Sequence, residues 1–127
     1  MDEQAKKTAL RMLTYGMYAV TAKDGDECGA MTVNFVTQSS FDPPMIAVAM
    51  EMDSRTRRIV EASGHFALCV FRDDQRELAG HLGRRYVKTP DKFDTVSWKP
   101  SPVTGDPILD ESLSWVECQV RDKVLSG

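Results

Sequence analysis

The stretch GAMTVNFVTQSSFDPP, residues Gly29 to Pro44, carries the strongest structural signal in the chain. Its apolar and polar residues alternate, and period-two alternation puts successive side chains on opposite faces of a sheet. Proline cannot donate to a ladder, so Pro43-Pro44 ends the run. Thr32, Asn34, Thr37, Gln38, Ser39 and Ser40 crowd hydroxyls and amides into this one segment. Buried hydroxyls and amides need partners, so a sheet face this polar predicts a polar ligand lying against it. The stretch is a candidate ligand wall.

Upstream, Met17 to Lys23 is rich in strand formers, and Asp24-Gly25-Asp26 supplies turn chemistry. Cys28 to Asn34 is therefore expected to return antiparallel beside it as a first hairpin. Phe35 to Ser40 continues that strand or bends into the next. Beyond the prolines, Met45 to Met52 reads as a well-buried strand. Further out, residues 4–15 show helical spacing of apolar residues, with Gly16 at the exit. Ser54 opens a second helix holding Ile59 and Val60, with Gly64 beyond it. His65 to Phe71 is another strand. Asp73 and Asp74 are positioned to cap a third helix that carries Leu78, Ala79 and Leu82. From Arg84 to Asp110, four prolines and few apolar repeats predict a long surface excursion. Ser112 to Val120 alternates again as a strand. Strands outnumber helices, which predicts a mainly β chain: a small antiparallel barrel with a few short helices, not an alternating parallel sheet.

A chain of 127 residues with 42% hydrophobic content is expected to form one domain, residues 1–127. Sixteen basic against nineteen acidic residues give a net charge of -3, which argues against nucleic acid and against anionic membrane surfaces. The N-terminus MDEQAKKTALRML is too charged for a signal peptide, and no run reaches membrane-spanning length, so a cytoplasmic location is expected. Cys28, Cys69 and Cys118 lack the paired spacing of a zinc or redox motif and read as small buried hydrophobes. His65 and His81 have no partner at metal-ligand spacing, so no metal site is expected and structural roles are assigned to both. No Gly-rich nucleotide loop and no nucleophile elbow is present.

Ser54-Arg55-Thr56-Arg57 combines two hydroxyls, guanidinium groups and the free amides of a helix start. Those are the parts of a phosphate receptor. The plainer alternative makes Ser54 only a cap and the arginines a solvated face. Arg84, Arg85, Lys88 and Lys92 with Tyr86 and Phe93 form the one basic and aromatic cluster, either a solvated loop or part of the ligand site. The methionines are mostly core filling, but Met31 and Met52 flank the proposed wall within reach of a planar ring.

These residues together resemble the flavin reductase-like family, whose domain is the FMN-binding split barrel. The resemblance rests on LTYGMYAVTA at Leu13 to Ala22 and on T-x-N-x-x-T-x-x-S-x-x-P-P from Thr32 to Pro44. It also rests on Ser54-Arg55-Thr56 after a strand, and on SGHFALCV followed by Gln75-x-x-Leu78-Ala79. It covers nearly the whole chain. It implies a split antiparallel β-barrel and a homodimer that binds FMN, or uses FAD, near the subunit interface. It also implies hydride transfer from NADH or NADPH to the flavin, with reduced flavin passed to a monooxygenase or another electron-transfer partner. Carried over, Met31, Thr32, Val33, Asn34, Thr37, Gln38, Ser39 and Ser40 would face the ring and ribityl chain, largely through backbone groups. Ser54, Arg55 and Thr56 would hold the phosphate, and Lys88, Lys92 and Phe93 would lie nearby. The hydride step itself needs no side-chain acid or base, so no catalytic residue is assigned.

Family members continue past the strand at Ser112 to Val120 with a Gly-Asp-His segment and further barrel strands, whereas this sequence stops at Ser126-Gly127. The barrel is accordingly expected to lack its last strands, either as a fragment or as a barrel completed by a partner subunit. Three other readings stand beside the reductase: a dimeric FMN-binding electron carrier with no NAD(P)H turnover, a pyridoxamine-phosphate-oxidase-like or deazaflavin-dependent enzyme, and a structural fragment without a ligand.

Overall fold

The computed structural model describes residues 1–127 as a mainly β chain with three short helices. In chain order these are α1 (Glu3–Arg11), β1 (Tyr18–Asp24), β2 (Glu27–Val33), β3 (Val36–Ser40), β4 (Met45–Val48), α2 (Arg55–Ser63), β5 (His65–Val70), α3 (Arg76–Leu82), β6 (Trp98–Pro100), β7 (Pro107–Leu109) and β8 (Ser114–Gln119). The central sheet has the order β2-β1-β5-β8, and β3-β4 and β6-β7 form two separate ribbons. All pairings are antiparallel. The sheets do not close on one another, which agrees with a split barrel.

The expected first hairpin forms with Asp24 opposite Glu27. Its two-residue turn requires a left-handed backbone, which Gly25 supplies at φ 59. From there the period-two pattern sorts the core into two layers. Val20, Ala22, Met31, Val33, Phe66 and Leu68 pack with Ile59 and Val60 of α2 on one face. Ala19, Ala30, Ala67 and Cys69 pack on the other with Ala79 and Leu82 of α3, Phe93, and Ile108 and Leu109 of β7. Four alanines sit fully buried in the central sheet. Their small side chains let helices and ribbon lie close to the strand backbone, and Gly29 does the same under α2. A Cβ at Gly29 would stand 2.8 Å from Ile59 Cδ1 and 3.1 Å from Thr56 Oγ1.

Several expectations need correction. The strand expected over Met45–Met52 ends at Val48 and is only half-buried. It belongs to a two-stranded ribbon, and such a ribbon has only one face to cover. Of the two courses open to Phe35 to Ser40 the chain takes the second: Asn34 and Phe35 are exposed, and the segment bends into β3, which starts a new ribbon with β4. The third helix is not capped by Asp73 or Asp74. Gln75 takes the cap position without a capping bond, and its Oε1 instead accepts from the Arg72 amide at 2.7 Å. The excursion from Arg84 to Asp110 is not all surface. Asp106, Pro107, Ile108 and Leu109 are buried, because an apolar triplet follows a carboxylate whose partners are all supplied. Lys23 N–H donates to Asp106 Oδ1 at 2.9 Å, Thr104 Oγ1 to Oδ2 at 2.9 Å, and His65 Nδ1 lies 2.7 Å from Oδ2. His65 thus ties β5 to the β6–β7 hairpin.

Of the cysteines only Cys69 is fully buried; Cys28 and Cys118 are half-buried, and all three are free thiols. Burial pushes the Cys118 thiol up to about 11, with the Asp106 charge adding to it. Two apolar surfaces remain uncovered within the chain. α1 buries no residue, and Leu113, Trp115 and Val116 stand exposed along the edge strand β8. No helix is long and apolar enough to cross a membrane.

Candidate functional site

The end of β2, the segment after β4, the start of α2 and the loop after α3 enclose a cleft of about 900 Å³. That volume suits a small-molecule ligand. One wall is largely apolar, with Met31, Val33, Phe35, Ala49, Met50 and Leu82. Another part of the lining is cationic. Arg55, Arg58, Arg84, Arg85 and Lys92 line it against two carboxylates, Glu51 and Asp53, on a chain whose net charge is -3. The site therefore concentrates positive charge that the chain as a whole does not have.

Local sequence explains the cationic end. Ser54 is the N-cap of α2: its Oγ accepts from Arg57 N–H at 3.3 Å and lies 3.3 Å from Met31 Sδ. Arg58 N–H donates to the Ser54 carbonyl. The first-turn amides of Arg55 and Thr56 stay uncommitted, at the positive end of the helix dipole. Arg55 and Arg58, three residues apart, share a helix face. Arg85 pairs with Asp53 across the cleft mouth, while Arg55 Nε donates to Glu27 at 3.2 Å.

Lys92 is buried, and its ammonium donates to the carbonyls of Leu82 at 2.7 Å and Arg84 at 2.6 Å. Those bonds hold the loop to the end of α3. Burial, aided by the Arg55 charge, lowers the Lys92 amine to about 8. Tyr86 lies between these groups, and burial raises its phenol.

The structure brings together Met31, Thr32, Val33, Asn34, Ser54, Arg55 and Lys92 on the cleft. It places the other sequence candidates elsewhere. Thr37, Gln38, Ser39 and Ser40 lie on the β3–β4 ribbon, mostly exposed. Met52 lines a second hollow beside the cleft, with Val48 and Val124. Thr56 is fully buried beneath the helix start, and its Oγ1 has no hydrogen-bond partner. Lys88 is exposed on the loop. Phe93 is buried in the core and stacks on Trp98, with ring centroids 5.9 Å apart. Both histidines are engaged away from the cleft, His65 with Asp106 and His81 with the Lys92 carbonyl.

Arg58, Met50 and Glu51 are among the cleft residues outside the sequence assignment. Arg58 was legible from its spacing to Arg55. Met50 and Glu51 were hidden inside a segment that reads as buried strand.

The donor set fits a flavin phosphate: two uncommitted amides and several cations, with apolar side chains for a ring on the same cleft. The family profile of the Flavin reductase like domain matches residues 10–127. The high molecular weight rubredoxin of Moorella thermoacetica is 32% identical over 120 residues, which is 94% of this chain and 52% of that protein. The reductase subunit HsaB of a flavin-dependent monooxygenase from Mycobacterium tuberculosis is 30% identical over 124 residues, covering 94% of this chain and 62% of that subunit. Among solved structures, the NADH:FAD oxidoreductase SgcE6 of Streptomyces globisporus, in complex with NAD and FAD fragments, superimposes with a TM-score of 0.85 at 26% identity, over 99% of this chain and 74% of that one. The chain spans between 20% and 62% of the length of the curated relatives it matches. Residues 10–127 form a flavin reductase-like domain, and the chain belongs to that flavin-binding family.

Proposed function

We propose that the chain is the flavin-binding part of a cytoplasmic, homodimeric NAD(P)H-dependent flavin reductase. It would use FMN, with FAD as a second substrate, and pass reduced flavin to a partner monooxygenase. One observation supports this reading above the others: the cleft joins an apolar wall to the amides and arginines at the start of α2. Relatives named as a monooxygenase reductase subunit and an NADH:FAD oxidoreductase support the reaction class.

Bound flavin would supply the two-electron chemistry. The protein's part is orientation and exclusion of water. Ser54, by capping α2, keeps the Arg55 and Thr56 amides aimed at the anionic end. Met31, Val33 and Met50 offer the ring a soft apolar wall. The exposed faces of α1 and β8 support burial against a second subunit.

Riboflavin lacks the phosphate and so separates the two ends of the cleft. Ser54→Ala with Arg55→Ala is expected to weaken FMN about 30-fold or more and riboflavin less than about threefold, since charge-assisted hydrogen bonds are the strong ones. Equal losses for both flavins would remove the phosphate assignment.

A second reading, a flavin-holding electron carrier, is favoured by the 32% identity to a rubredoxin and by the engagement of both histidines away from the cleft. Steady oxidation of NADH or NADPH by the purified chain with FMN supports the reductase. A chain that binds FMN with no such turnover is the carrier.

A further inference from the structure

We propose that Tyr86 is a positioning residue that holds the Arg55 guanidinium at the phosphate end of the cleft; this rests on the flavin-phosphate reading above. Three contacts fix the Tyr86 ring. Its hydroxyl accepts the Ala30 N–H of β2 at 3.1 Å. The Lys92 ammonium lies 4.3 Å from the ring centroid and the Arg55 guanidinium carbon 4.6 Å from it. Lys92 is itself anchored to the Leu82 and Arg84 carbonyls. The ring is thus tied to a strand at its hydroxyl and held against an anchored cation, and Arg55 lies on the same ring.

Arg55 needs such a surface. A long flexible side chain loses conformational freedom when it grips a ligand, and that loss weakens binding unless the side chain is already ordered. Glu27 orders one edge of the guanidinium through Nε. That contact is exposed, and an exposed ion pair holds its geometry weakly. The aromatic face supplies the second constraint and, unlike another carboxylate, does not use up the donors that a phosphate needs. Tyr86 also joins its own loop, which carries Lys92, to two other elements of the cleft, since Ala30 lies in β2 and Arg55 begins α2. It stands where a loop side chain can set the distance between the apolar wall and the helix start.

The test measures FMN and riboflavin affinities by fluorescence titration in the full chain and in Tyr86→Leu, Tyr86→Phe and Arg55→Ala. Tyr86→Leu is expected to weaken FMN about tenfold while changing riboflavin less than twofold. Tyr86→Phe, which keeps the ring, is expected to stay within about threefold of the parent for FMN. In an Arg55→Ala background, Tyr86→Leu is expected to have no further effect on the ratio of the two affinities, because the group it positions is gone. Where Tyr86→Leu is too unstable, Tyr86→Gln removes the ring and keeps a polar group for the Ala30 amide. Equal loss of FMN and riboflavin in the ring-deleted variants marks a merely structural residue and overturns the proposal. So does a ratio unchanged by ring deletion while Arg55→Ala shifts it. A ratio unchanged in Arg55→Ala overturns the phosphate reading, and the proposal with it.

Discussion

Met31–Asn34 and Thr37–Ser40 belong to one continuous stretch and are similar in composition, yet they have different surroundings. The first group closes β2 and lines the cleft. The second lies on the β3–β4 ribbon, facing solvent for the most part. What separates them is what holds each in place. β2 is backed by α2 at Gly29, bonded through Thr32 Oγ1 to the Ala79 carbonyl of α3 at 2.5 Å, and joined through Ala30 to the loop bearing Tyr86 and Lys92. The ribbon's polar side chains satisfy themselves locally: Thr37 Oγ1 donates to the Gln38 carbonyl at 3.2 Å and Gln38 Nε2 to the Ser40 carbonyl at 3.3 Å. A polar side chain with no further partner than its own strand and water places few demands on its neighbours.

The largest difference between the two regions concerns a buried charge, which only the cleft side has. The Lys92 amine falls from 10.5 to about 8 in the fold. Between those values the folded chain holds fewer protons than the unfolded one, so stability rises with pH across that window. Relative to Lys92→Met, the parent is expected to gain up to about 3 kcal/mol as pH goes from 8 to 10.5, read as a growing difference in melting temperature. A flat difference would mean that Lys92 keeps its ordinary affinity for the proton.

Next in size is Gly29→Val. Its side chain would press on Ile59 and Thr56, and overpacking of this kind costs about 2 kcal/mol. Because Thr56 sits in the first turn of α2, the strain falls on the phosphate end, and FMN affinity is expected to drop more than riboflavin affinity. Matched losses would show that the helix start moves without consequence for the cleft.

The smallest effect is expected on the ribbon. Thr37→Ala with Ser39→Ala should change stability by less than about 0.5 kcal/mol, as ordinary exposed substitutions do, and leave FMN affinity within twofold. A tenfold loss of FMN affinity would bring the ribbon into the site and erase the contrast.

Much of the fold was readable from local chemistry. The hairpin at Gly25, the cap at Ser54, the left-handed exit at Gly64, the apolar run of β5 and the alternation in β8 each follow from residues within a few positions of one another. The cleft was readable where it uses such local signals, as at Ser54, Arg55 and the end of β2. Thr56 and Phe93 escaped because a residue type at a site-like spacing does not say which way its side chain points. Thr56 turns under the helix, and Phe93 turns into the core. Asp106 escaped because two of its partners, Lys23 and His65, come from β1 and β5, distant in sequence. Tyr86 was visible only as one aromatic in a basic loop, since its role depends on Ala30 and Arg55 from two other elements.

The alanine-lined central sheet has a consequence for how this domain can change over generations. Where large side chains separate two layers, a substitution is absorbed by a new rotamer. Here Ala19, Ala22, Ala30 and Ala67 offer only a β-carbon at four fully buried points of the sheet, and an alanine has no rotamer to adjust. An added methyl at any of these positions presses on the side chains packed there from α2, α3 or the β6–β7 hairpin. Both helices border the cleft, so inherited variation in ligand preference can arise from core positions that no ligand touches.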